Sequence, residues 1–594
     1  MKNSAMQTAG LLRMIGFAAL TVLAGVASAA DYYVDSRGSD NNDGRAAVTG
    51  NAGVGPFATL ARLSRLNLQH GDRILLACGD RFQGPLDLTL QSTLPGVLTI
   101  TQFGDCQSKD KPLIDGRITI PSLPGREMQS IPLRQPVTQV FAGDVPLPRA
   151  RFPKAAYIIL PATSATAADR VPPVPMLAGR DMTGAVVHAR TQEWILEKRR
   201  VTSANAELDS PLRYPLRPKA GFYLTGKAWM LGADDGWAYD HADNALHVRS
   251  GGPITVTHDF ALLQVAGRGA VAINGIAFFA AGGDAINLKL DGVVNINNVA
   301  IQYANGNGIS IAGASFAQIT DSTIASASLD GIFFAEVKRA VVRRNVVTDA
   351  GLYQGPNSSL AAINAHRTDA ATVEENRVTR SGYIGIRLGG DARIRGNLVE
   401  ATCQLLADCG AIYTWRRNPN DVRPAVEISG NAIIEVRGDT TVKFSVNDYF
   451  SGIYLDEWTR NTTVVNNVIV NAGQGVYLHN ARANSVEGNF VLGARGIPVM
   501  QKDSAAELLA VPPQRVEVPN RIGVNTIRQD GTVSVQSIGA VDQSSKAKTR
   551  VITGLPASVW SNMSDATLPG CRKAATTNEG TAPTIVAARV YLCD

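Results

Sequence analysis

The chain has 594 residues, 45% of them hydrophobic and 18% charged, with 56 Gly and 29 Pro. That length suits several domains or one elongated repeat, and the composition excludes a disordered or collagen-like chain. The formal charge is +6, or +4 without Lys2 and Arg13, too small a surplus for a nucleic-acid partner on a chain this long.

Lys2 and Arg13 precede an apolar run, Met14 to Val26, followed by Ala27-Ser28-Ala29. Small residues at that spacing mark a signal-peptidase site. The expectation is a signal peptide over 1–29, cut near Ala29, and a secreted or periplasmic mature protein. The run is short for a membrane span, and no later stretch is apolar enough to cross. Six cysteines suit an oxidising compartment. The simplest pairing is sequence-local: Cys78 with Cys106, Cys403 with Cys409, Cys571 with Cys593. No CxxC or His-Cys cluster supports zinc, so no metal ligands are assigned.

Residues 30–120 are expected to hold an N-terminal cap and the first turns of a repeat. The repeat is absent over 121–252, where short strand-like runs carry Trp194, Trp229 and Trp237. This stretch is expected to be an inserted β-rich module. Its tryptophans form the module's own core, or one of them offers a sugar-stacking face.

From 253 a small residue followed by an aliphatic one recurs, as in Ala285-Ile286, Gly308-Ile309, Gly331-Ile332, Ala362-Ile363, Gly385-Ile386, Ala411-Ile412, Gly452-Ile453 and Gly475-Val476. The intervals are 23, 23, 31, 23, 26, 41 and 23 residues, so the base period is 23 and the longer intervals hold loops. A second marker, aliphatic-x-x-Asn-x-aliphatic, runs beside it around Asn376, Asn397, Asn431, Asn467 and Asn489. Asn298, Asp321 and Asn345 take the same place earlier, and Asn525 extends the series. The segments are short, β-branched and broken by Gly, Asn and Asp, which excludes helical repeats. Each unit describes one coil of a parallel β-helix, whose inner face is buried only by stacking. The Asn residues suit turns, where they tolerate left-handed backbone and bond down a ladder. About eleven coils make a rod of about 50 Å. The repeat is expected over 253–545 and a C-terminal cap over 546–594.

Several segments resemble secreted right-handed parallel β-helix proteins of the pectin-lyase-like group. These are Tyr32-Tyr33-Val34-Asp35, Gly38-Ser39-Asp40-Asn41-Asn42-Asp43-Gly44, Pro56-Phe57-Ala58-Thr59-Leu60 and Gly71-Asp72-Arg73-Ile74-Leu75-Leu76. The resemblance implies an all-β, right-handed parallel β-helix with an N-terminal capping helix, buried through Leu60, Leu63 and Leu66. Trp237-Ala-Tyr239-Asp240 and Leu246-His247-Val248 resemble the inserted module of β-helix glycoside hydrolases, with His247 where that family has Tyr. The fold alone leaves chemistry open, because it hosts hydrolases, lyases, epimerases and non-catalytic adhesins.

Side chains alternate along a strand. With the marker aliphatics inward, one outward column reads Asn364, Arg387, Tyr413, Tyr454, Tyr477. A second reads His366, Gly389, Trp415, Asp456, His479, and Lys502 follows one coil on. Earlier coils place Ser310, Ala312, Phe333 and Ala335 there. Ionisable and aromatic residues therefore concentrate on one face between 363 and 502, flanked by the longer loops. Asp408-Cys409-Gly410-Ala411-Ile412-Tyr413-Thr414-Trp415 and Gly452-Ile453-Tyr454-Leu455-Asp456-Glu457-Trp458 resemble motifs of β-helix glycosidases, with Glu457 where an Asp is usual.

Three functions remain open. The first is a glycoside hydrolase, which needs two carboxyls: Asp408 with Asp456 or Glu457. The second is a polysaccharide lyase or C5-epimerase on a uronic-acid polymer. It would use His366, Arg387, His479 and Lys502 for charge neutralisation and proton abstraction, with calcium as an optional helper. Otherwise no cofactor is expected. The third is a non-catalytic polysaccharide-binding β-helix. In every case the partner is a poly- or oligosaccharide, with Arg387, Tyr413, Trp415, Tyr454, Tyr477 and Lys502 as binding residues, and a monomer is expected.

Overall fold

The computed structural model describes residues 29–528 except 70, 91–95, 122–124, 353–359, 417–423, 445–448 and 504–517. Beyond these it describes backbone strands at 535–538, 548–556, 571–579 and 586–593. The expected leader lies outside the described residues apart from Ala29.

The repeat stacks as a parallel β-helix. One inner column runs Leu263, Ile286, Ile309, Ile332, Ile363, Ile386, Ile412, Ile453, Val476 and Val499, each in register with the next. The column begins a coil before the first marker in the sequence, and every member up to Val476 is buried. From Ile286 to Val476 the residue before each is Ala or Gly, because neighbouring coils approach there. A Cβ on Gly331 would lie 2.6 Å from the Ala362 carbonyl oxygen, and one on Gly452 2.7 Å from that of Gly475.

The two aliphatics of the Asn marker belong to different sheets. Val373, Ile394, Ile428, Val464 and Val486 stack in the large sheet. Val378, Val399, Ile433, Ile469 and Val491 stack in a second, 12-stranded one. The Asn sits inside the corner between them. Asn345, Asn376, Asn397, Asn431, Asn467, Asn489 and Asn525 form one ladder, each Nδ2 donating to the next Oδ1 at 2.9–3.0 Å. The same oxygens also accept the backbone N–H of the preceding Asn. Every buried amide is thus satisfied by its neighbour, which a buried polar group requires.

The left-handed residue at this corner is the one before the ladder Asn: Arg344, Glu375, Gly396, Gly430, Asn466 and Gly488. Asn298 and Asp321 hold that left-handed position, and the ladder places beside them belong to Val299 and Ser322. The expected turn and ladder roles are therefore split between adjacent residues. Asn and Asp suit both positions, so composition alone does not separate them.

The N-terminal end is closed by a single helical turn, Leu60–Leu63, with Leu60 and Leu63 buried and Leu66 packed against the same core. The inserted module is built from antiparallel strands. Val186–Gln192, Ile195–Arg200 and Gly221–Thr225 form one sheet, and Gly125–Pro132, Gly236–Asp240 and Ala245–Ser250 another. A third contains Ile118–Thr119 and Ile254–Thr257, so the module extends a few residues past 121–252 at each end. Trp237 lies in the module's own core, and Trp229 packs against the other one.

Cys78 pairs with Cys106 and Cys403 with Cys409. Cys571 lies opposite Cys593 in a C-terminal antiparallel pair, with both side chains outside the described residues. Among the described residues no helix is long and apolar enough to cross a membrane.

Candidate active site

The outward column is laid down by strand register. Asn364, Arg387, Tyr413, Tyr454 and Tyr477 are successive neighbours on adjacent coils. Tyr454 stacks on Tyr477 with ring centroids 4.7 Å apart and meets Tyr413 edge-on at 5.3 Å. Parallel stacking puts like positions about 4.8 Å apart, so a run of aromatics in one column becomes a continuous wall.

Two carboxylates meet this wall from opposite ends of the strands. Asp408 immediately precedes Cys409–Thr414 in a left-handed conformation, φ 53°, which is uncommon for a residue with a side chain. The Cys403–Cys409 disulfide closes the loop that carries it, and the Tyr383 hydroxyl donates to its carbonyl at 2.8 Å. Gly410 is needed beside it, since a Cβ there would lie 2.8 Å from the Cβ of Tyr454. The Tyr454 hydroxyl, 3.0 Å away, donates to Asp408 Oδ1.

Asp456 immediately follows Phe450–Leu455 rather than lying within the strand, and its amide donates to the Thr414 carbonyl at 2.9 Å. Its Oδ2 accepts from the Tyr413 hydroxyl at 2.6 Å, and its Oδ1 is 2.8 Å from His479 Nδ1. Glu457 Oε2 accepts from the Trp415 indole at 3.1 Å.

Burial, reinforced by the negative charge of Asp456, pushes the Asp408 carboxyl up to about 7, against the opposing bond from Tyr454. Asp408 therefore keeps its proton far above the ordinary carboxylate range. Burial also drives the Tyr413 and Tyr454 hydroxyls upward, Asp456 adding to the first and Asp408 to the second.

These groups surround one cavity of about 520 Å³. Of the residues expected from sequence, Arg387, Asp408, Tyr413, Trp415, Tyr454, Asp456, Glu457 and His479 line it. His366, Tyr477 and Lys502 do not. The His366 ring lies beside Trp415 at 5.8 Å, with Nδ1 3.1 Å from the Leu388 carbonyl oxygen. Tyr477 is sandwiched between Tyr449 and Tyr454. Lys502 donates to the Tyr449 hydroxyl at 2.9 Å. Each is taken up by neighbours instead: His366 by Trp415 and the Leu388 carbonyl, Tyr477 by Tyr449 and Tyr454, and Lys502 by Tyr449.

The inserted module completes the cavity with Trp194, Arg213 and Tyr214. Of its three tryptophans, Trp194 is the one turned to the site. The hairpin turn carrying it bonds to the Asp408 loop, Ala407 N–H donating to the Glu193 carbonyl at 3.0 Å. The fully buried Arg190 ties the module to the loop before Phe450, pairing with the Asp439 carboxylate at 3.0 Å. Nothing in the sequence points to Arg213 and Tyr214, which lie outside the repeat. Tyr383 had a usable signal: it precedes Ile386 by three residues, as Cys409 precedes Ile412.

Residues 261–433 match the family model described as "Right handed beta helix region". With the stacked coils, this defines the chain as a right-handed parallel β-helix protein. No curated protein sequence matches it. Among solved structures it is similar to XylC, determined with xylose, at 13% identity over 89% of each chain and a TM-score of 0.45. It is also similar to a GH136 lacto-N-biosidase from Eubacterium ramulus, at 12% identity, 84% of this chain, 67% of that chain and a TM-score of 0.36. An alginate lyase from Paenibacillus follows at 13% identity, 75% of this chain, 97% of that chain and a TM-score of 0.31. Likeness this distant assigns none of those activities to the chain.

Proposed function

We propose that the protein is a secreted glycoside hydrolase acting on an extracellular poly- or oligosaccharide. The observation that carries this reading is the Asp408–Asp456 pair: two carboxyls face one cavity, and their surroundings keep a proton on the first. Asp408 is the acid. It donates its proton to the glycosidic oxygen as the bond to the anomeric carbon breaks. Asp456, oriented by Tyr413 and His479, activates a water or attacks the anomeric carbon itself. Trp194, Trp415 and Tyr214 offer faces against which sugar rings stack. The two disulfides are consistent with an oxidising, extracytoplasmic location.

A second reading rests on Arg213 and Arg387 in the same cavity. Two guanidiniums would neutralise a uronate carboxylate, and Tyr413 or His479 would then take the C5 proton in a lyase or epimerase.

One experiment separates the readings. The protein is incubated with a panel of neutral and uronic-acid polysaccharides, followed for new reducing ends and for ultraviolet absorbance of an unsaturated product. Reducing ends without absorbance are expected. Absorbance rising with cleavage overturns hydrolysis in favour of elimination. Silence on both channels overturns hydrolysis on these polymers and leaves epimerisation or a non-catalytic binding role.

A further inference from the structure

The hairpin Gly236–Asp240/Ala245–Ser250 of the inserted module holds a cluster outside the cavity. Its register pairs Asp240 with Ala245 and Ala238 with His247. Asp240 and His247 therefore share one face, and Asp243 sits in the connecting turn. A ring nitrogen of His247 and one carboxylate oxygen each from Asp240 and Asp243 all lie within 4.8 Å of one another.

His247 is 8% exposed, and neither of its ring nitrogens has a hydrogen-bond partner. A buried imidazole left this way gives up its bonds to water for nothing in return, which is unfavourable. Two carboxylates, Asp240 and Asp243, stand beside it. Lys227 donates to Asp181 Oδ2 at 3.0 Å and to the Thr183 carbonyl at 2.9 Å, and pairs with Asp240 Oδ2 at 2.7 Å. One ammonium thus bridges the carboxylates of Asp181 and Asp240. The Oδ1 of Asp240 also accepts the Ala242 amide at 2.9 Å, which fixes the carboxylate toward the turn. His247 is the residue at which Leu246-His247-Val248 departs from the Leu-Tyr-Val that it resembles, and the sugar cavity makes no use of it.

We propose that Asp240, Asp243 and His247 form a binding site for a divalent transition-metal ion of the zinc type. A divalent cation gives the orphaned imidazole its missing partner and two carboxylates to share. The donor set selects the class: one imidazole nitrogen with two carboxylates suits zinc and its neighbours, whereas calcium and magnesium take oxygen donors. Lys227 keeps Asp181 and the Thr183 carbonyl as acceptors when the ion takes its share of Asp240. The bound ion would clamp the hairpin turn, two ligands coming from its strands and one from the turn between them.

The test uses the untagged full chain, stripped with a chelator and dialysed against zinc, with calcium as the comparison. Bound metal is counted by elemental analysis, and affinity is measured by titration calorimetry. One zinc per chain is expected, with calcium at least tenfold weaker. Asp243→Asn changes an exposed turn residue and is expected to weaken zinc at least tenfold while the fold is retained. His247→Ala is expected to abolish binding. Absence of bound zinc in the wild-type chain overturns the proposal. So does wild-type affinity in Asp243→Asn, whatever the behaviour of the His247 variant.

Discussion

The coils around Ile286, Ile309 and Ile332 and those around Ile386, Ile412, Ile453 and Val476 share one inner column and differ on the outside. The first set presents Asn287, Ser310 and Phe333 next to its aliphatics; the second presents Arg387, Tyr413, Tyr454 and Tyr477. Stability and chemistry are thus written on opposite faces of the same strands. The inner face must repeat, because each coil is buried only by the next. The outer face is free to vary, and where it does, a closed loop and an inserted module arrive to enclose it.

The comparison is broken most severely at the carboxylates. Asp408→Asn removes the proposed proton donor with little change in volume. Activity on a confirmed substrate is expected to fall by about 10²–10⁴-fold, with circular dichroism unchanged. Loss of the fold in this variant would mean that the outer face also carries stability. The same residue sets a pH limb. Asp408 must be protonated to act, and its carboxyl is pushed up to about 7. The rate should therefore fall about tenfold per pH unit above that value, as measured by a kcat profile.

Inner-face changes should do the reverse. Asn431→Ala deletes the oxygen that accepts both the Asn397 backbone N–H and its side chain, and leaves that buried backbone donor unpaired. A loss of about 1–3 kcal/mol is expected by denaturant titration, with kcat of the folded protein near wild type. Trp194→Ala tests whether the module belongs to the site. It is expected to raise KM several-fold with a smaller change in kcat, because the proposed role of the ring is to stack on sugar away from the reacting bond. Arg344→Gln is the mildest change. It removes a solvent-exposed pair with Asp321 on a coil without chemistry, and less than about 1 kcal/mol should be lost.

Much of this was legible beforehand. The 23-residue period, the inner column and the order Arg387, Tyr413, Tyr454, Tyr477 all follow from counting, and the capping turn over Leu60–Leu63 follows from the family resemblance. In a parallel coil, sequence offset maps directly onto register. The pairing of Asp408 with Asp456 was legible for the same reason, since Ile412 and Ile453 place their coils side by side. The exchange of roles between Asn298 or Asp321 and the ladder proper was not, because adjacent corner positions accept the same residue types.

The sequence by itself determined the repeating core and which residues would share the outer face, because periodic burial leaves a periodic pattern. Only the tertiary structure decided where the cavity ends. It set His366, Tyr477 and Lys502 outside and brought Trp194, Arg213 and Tyr214 in from a segment with no period. Those contacts join residues about two hundred positions apart, through Glu193 on the Asp408 loop and Arg190 on Asp439. No local pattern encodes such contacts, because they depend on how one folded unit packs against another.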